Sequence, residues 1–174
     1  MTHTFTDALG VVLREEGGFV KDERDPGGAT NLGVTARTWH AWSGQPPSEA
    51  VMRGLTAAKV APLYKAWFWD KIGGEALPAA LALPLFDFAV NAGPARALET
   101  LQGVVGARKD AQPGPSTMRA AQAYISGIGL AKLITRFCDA RADYYRSLPT
   151  FPAFGKGWLA RVDRIKAEAL AWAG

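Results

Sequence analysis

The chain has 174 residues, 48% of them hydrophobic, with a net charge of +4 and a single cysteine. That supplies one good core or two small lobes. Cys138, being alone, excludes an internal disulfide and fits folding in a reducing compartment. No run approaches the roughly 20 apolar residues of a membrane helix. The positive charge fits nucleic acid, a membrane surface or another anionic polymer, or simply a solvated basic surface; the basic residues are scattered rather than gathered into blocks, which argues against nucleic acid.

The start, Met-Thr-His-Thr-Phe-Thr-Asp, lacks the basic head and apolar run of a signal peptide, so synthesis in the cytoplasm and export by another route are expected. A helix is predicted over 5–16. Phe5, Ala8, Leu9, Val12, Leu13 and Glu16 then share one face, and Glu15 points roughly 100° away, toward water. Burial favours the neutral form of a carboxyl, which is the form able to protonate a leaving group. Glu16, on the apolar stripe, is therefore the candidate general acid.

Gly17 and Gly18 end that helix, since glycine accepts the left-handed backbone of a C-terminal cap. Asp25-Pro26-Gly27-Gly28 reads as a tight turn. It returns Asp25, nine residues after Glu16, toward the helix end. Glycoside hydrolysis by the usual route uses two flanking carboxyls, one protonated and one charged. Glu16 and Asp25 can supply them, with Asp22 and Glu23 as rivals for the second place. Thr30 stands where it could hold a water or orient a carboxylate.

Beyond this loop, Thr35, Ser48 and Thr56 are predicted helix caps. Pro62 either kinks the helix that follows Thr56 or sits in a first turn. Trp67-Phe68-Trp69 is dense in aromatics; such rings either stack on sugars or pack in a core, and core is expected for two of the three. From Pro78 to Asn91 the residues are apolar nearly all round, which predicts a buried helix. Asp87 and Asn91, four apart on it, either line a glycan groove or form a satisfied internal network.

Gly93-Pro94 starts the next helix, reading to about Val105, and 106–116 is a Pro- and Gly-rich loop. A helix over 129–148 places Leu130, Leu133, Ile134, Phe137, Cys138, Tyr144, Tyr145 and Leu148 on one face, which makes Cys138 a core thiol. Arg141 lies in the middle of that stripe and must find a carboxylate, Glu16 or Asp87, or a route to water. The last helix is expected from Lys156, with Arg161, Arg164 and Lys166 on a basic flank. With two histidines and no Gly-x-Ser-x-Gly, His-Glu-x-x-His or phosphate loop, no cofactor or metal is implied.

Three stretches resemble the glycoside hydrolase family 108 muramidases of phage endolysins and wall-remodelling proteins. These are Glu16-Gly17-Gly18-Phe19, Asp25 to Asn31 and Gly33-Val34-Thr35 in that order, then 86–93, then 154–162. The resemblance spans nearly the whole chain and implies a mainly α, lysozyme-like fold with a small loop or β-hairpin region after the first helix. It makes Glu16 the catalytic acid. The order Glu16, Asp25, Thr30 is also similar to the acid, aspartate and threonine of phage lysozymes, with the Asp25-to-Thr30 interval one residue shorter.

It further implies a catalytic lobe over 1–95. The loop 106–116 is similar to that of small peptidoglycan-binding modules, with Ala111 in place of a glycine, which implies a glycan-binding lobe over 96–174. Asn91, Asp87, Tyr64 and Trp69 are the candidate substrate-binding residues. The expected activity is endo-cleavage of β-1,4 bonds between N-acetylmuramic acid and N-acetylglucosamine by a monomer acting on peptidoglycan in the cell wall. A lytic transglycosylase and a non-catalytic wall-binding or export-accessory protein are the alternatives.

Overall fold

The computed structural model describes residues 3–21 and 28–174. Two compact units emerge, one of residues 1–8 with 67–174 and one of residues 9–66. The chain crosses between them after Ala8, inside the first helix, and after Ala66. These crossings differ from the 95/96 division read from the sequence, because the helices on either side of Gly93 pack on each other within one unit.

Helix α1, Phe5–Glu16, buries Ala8, Leu9, Val11, Val12 and Leu13 and ends where Gly17 turns to φ +78°. In the 9–66 unit, strands β1 (Val20–Lys21), β2 (Ala29–Asn31) and β3 (Val34–Thr35) form an antiparallel sheet in the order β1-β2-β3. Thr30 faces Val20 on one side and Thr35 on the other. Only Leu32 and Gly33 link β2 to β3, with φ of 50° and 72°. Two successive positive φ values are what a tight hairpin with right-twisted strands needs, and a leucine in that position carries some strain.

Thr35 closes β3 and caps α2 (Ala36–Ser43), accepting from the Thr38 amide. Ser48 and Thr56 cap α3 (Glu49–Arg53) and α4 (Ala57–Tyr64) in the same way. Pro62 lies inside α4 rather than in its first turn, and the chain beyond it widens into a π-helical turn, Lys65–Trp69. Proline cannot donate to the carbonyl one turn back, so regular winding is already interrupted there.

The other unit is built on α5 (Ala79–Ala92), in which every residue from Ala80 to Ala89 is buried. It packs against α6 (Pro94–Val105), α8 (Leu130–Arg146) and α9 (Phe151–Ala173). Helix α7 (Pro115–Ile128), not foreseen from the sequence, packs on α6 and α8. Helix α9 starts five residues before the expected Lys156, since Pro152 suits a first helical turn. A side chain on Gly155 would collide with the ring of Phe151, so this glycine is held inside the helix by packing.

Asp87 and Arg141 have no exposed side-chain surface and meet at 2.7 Å. Arg161 closes on the other oxygen of Asp87 at 2.6 Å, and the Tyr145 hydroxyl accepts from Arg141. Arg161, expected on a basic flank, thus turns inward to Asp87, and with Arg141 on the other oxygen neither carboxylate oxygen is left unpaired. Cys138 is fully enclosed beside them, and burial pushes its thiol up to about 12.

Candidate active site

Glu15 and Glu16, the last two residues of α1, are both half-buried. The expectation that Glu15 points to open water is therefore too simple, since the helix end offers partial cover to both. What separates them is contact. A Cβ built on Gly33 would stand 2.6 Å from the Tyr64 hydroxyl oxygen, 2.8 Å from Glu16 Oε2 and 2.9 Å from Glu16 Cγ. The carboxyl of Glu16 and the phenol of Tyr64 thus converge on the hairpin tip.

Each member is held from a different element. Tyr64, at the end of α4 and 2% exposed, donates its hydroxyl to the carbonyl of Leu32 at 2.8 Å. That bond ties the two-residue turn to α4. Asn31 anchors the strand before it, donating its side-chain amide to the carbonyl of Met52 at 2.9 Å in a buried position. Lys21 on β1 and Arg53 on α3 both bind Glu49, holding its carboxyl below the ordinary range, and Arg53 covers the Phe19 ring at 3.9 Å. The motif residues around Glu16 build a braced turn.

Thr30 is half-buried, on the opposite side of β2 from the buried Ala29 and Asn31. Asp25, with its rivals Asp22 and Glu23, lies outside the described residues. Among the described residues, no group of three or more His, Cys, Asp or Glu is placed to hold a metal ion.

This braced glutamate coincides with a family match. The family model for glycosyl hydrolase 108 matches residues 9–93, which contain Glu16, the hairpin and Tyr64. Among solved structures, SagA of Brucella abortus is 40% identical, with 97% of this chain and 95% of that chain covered and a TM-score of 0.81. The chain belongs to the glycosyl hydrolase 108 family. No curated protein matches it.

The hydrolase acts on peptidoglycan, and the remaining expected site residues can be placed within it. Asp87 does not line a groove: it has no exposed surface, and its oxygens go to Arg141 and Arg161. Of the two readings left open for it, the satisfied internal network is the one found. Asn91, one turn later, is exposed, and its amide donates to the Asp87 carbonyl at 2.8 Å.

Trp69 is 3% exposed, wedged against Phe5 and Phe86, with its indole N–H on Glu75. A ring so enclosed cannot stack on sugar. The exposed aromatic of the three is Trp67, at 36%. Gly33 is the site residue that the sequence reading missed as such. In the sequence it stands only as part of Gly-Val-Thr, and the contact that makes it necessary spans 17 positions of chain, from Glu16.

Proposed function

We propose that this hydrolase is an endo-acting N-acetylmuramidase that cuts the β-1,4 bond between N-acetylmuramic acid and N-acetylglucosamine. The observation that supports it is the carboxyl of Glu16, pressed against Gly33 beside the Tyr64 hydroxyl at the end of α1. In this reading Glu16 gives its proton to the glycosidic oxygen as the C1–O bond breaks. Asp25 supplies the second carboxylate, which meets the positive charge growing on the ring or directs water to C1. Thr30 orients that water or carboxylate. Tyr64 holds the turn against which Glu16 rests.

The biological reading is lysis or remodelling of the bacterial wall, as a phage-type endolysin or a bacterial counterpart. The protein reaches the wall after release from the cytoplasm, through a holin or another export route, and acts there as a monomer. Residues 96–174 add affinity for the same polymer.

Mass spectrometry of the muropeptides released from purified sacculi tests the reaction. Hydrolysis leaves ordinary reducing N-acetylmuramic ends; products ending in 1,6-anhydromuramic acid would make the enzyme a transglycosylase instead. Reducing ends on N-acetylglucosamine would move the cut to the other bond.

A further inference from the structure

We infer that the cleft around Trp67 is a saccharide-binding site that lies entirely within the unit lacking Glu16. It rests on the reading of an amino-sugar polymer as substrate. The cleft measures about 560 Å³ and is lined by Trp67, Asp70, Lys71, Leu98, Gln112 and Pro113 among others. Clefts of about 300 to 1,000 Å³ are the size that encloses small ligands.

Its chemistry suits a neutral, hydroxyl-rich ring. Trp67 comes from the π-helical turn and shows 36% of its surface, while Trp69, two residues on, is enclosed. An exposed indole offers an apolar face for the C–H face of a pyranose. Asp70 and Lys71 are both exposed and of opposite charge. Their charges cancel, so the cleft favours a neutral ligand over an ion. A carboxylate accepts, an ammonium donates and the Gln112 amide does both, which is the mixture that sugar hydroxyls need. Leu98 and Pro113 add apolar lining to the cleft.

The far wall is built in advance. Gln102, fully buried on α6, accepts with its Oε1 from the amides of Asp110 and Ala111. Its Nε2 donates to Asp110 Oδ1, the carbonyl of Gln112 and the hydroxyl of Thr117. These bonds hold Ala111 at φ +57°, a conformation a non-glycine residue rarely adopts, and so fix Gln112 and Pro113 at the rim. A loop already ordered loses little freedom when a ligand arrives.

The test is calorimetric titration of the full chain carrying Glu16→Gln with N-acetylglucosamine tetramer, so that binding is read without cleavage. Trp67→Ala and Asp70→Asn, each added to that background, should weaken binding tenfold or more while the melting temperature stays put. Equal affinity in all three, or no binding by the parent, overturns the site. The catalytic reading is judged separately by cleavage of sacculi with unmutated protein. Cleavage with Trp67-independent binding removes only the cleft, and Trp67-dependent binding without cleavage removes only the muramidase.

Discussion

Gly33 has to be a glycine because the carboxyl of Glu16 fills the space a side chain there would take, 2.8 Å from a Cβ to Oε2. Gly33→Ala adds that collision to the strain of an alanine at φ +72°, roughly 1 to 2 kcal/mol. Gly44 has nearly the same backbone, φ +69°, but nothing within 4 Å of an added Cβ. Steady-state cleavage of sacculi should therefore drop by about 100-fold, some 2.7 kcal/mol, in Gly33→Ala. Gly44→Ala should lose comparable stability and keep its activity. Matching activity in the two variants would dissociate the hairpin tip from the acid.

Glu16→Gln keeps the shape of the side chain but has no proton to give. Turnover should fall by about 10² to 10⁴-fold, the range for loss of a general acid, with an unchanged thermal melt. Glu15→Gln, also half-buried but without the Gly33 contact, should stay close to wild type. An inactive Glu15→Gln beside an active Glu16→Gln would reverse the assignment.

Of the two carboxylates the sequence offers Arg141, it takes Asp87, at 2.7 Å with neither side chain exposed. Arg141→Met leaves Asp87 with Arg161 alone and should cost about 3 to 5 kcal/mol in a denaturant titration. The pH–rate profile of the folded fraction should keep its limbs where they were. A shifted alkaline limb at full stability would mean that Arg141 acts on the catalytic acid.

Cys138 titrates at about 12 because burial penalises its thiolate, and burial raises the phenol of Tyr145 too. Unfolded, a thiol titrates near about 8.5. A folded value above the unfolded one means the contribution to stability is whole below about pH 8.5 and is lost as pH climbs toward 12. Melting temperature should thus decline through that window, less steeply in Cys138→Ala. Thiol reagents at pH 8 should label the protein only once denaturant has unfolded it.

On the proposed anionic wall substrate, the net charge of +4 should add an attraction that salt screens over about 8 to 10 Å. Turbidity clearing of sacculi should fall as salt rises. Cleavage of a neutral chitin oligomer should change far less. Equal salt dependence on both would remove charge-guided wall binding.

Much of this molecule is written locally. The stripe from Phe5 to Glu16, the glycine that stops it and the caps at Thr35, Ser48 and Thr56 are each decided within about four residues, the reach of helical side chains and caps. Periodicity likewise made α5 and Cys138 interior and singled out Arg141 as needing a partner. Which partner, it could not say. Asp87 lies on α5 and Arg141 on α8, and their meeting depends on how those two helices pack. The same holds for Trp67 and Trp69: three adjacent aromatics look alike in sequence, and the π-turn beyond Pro62 together with packing on Phe5 and Phe86 decides which one stays at the surface. Glu16 could be read as the candidate acid from its motif, whereas the hairpin tip and the tyrosine beside it could not, since a meeting of α1, a two-residue turn and α4 exists only once those elements have folded onto one another.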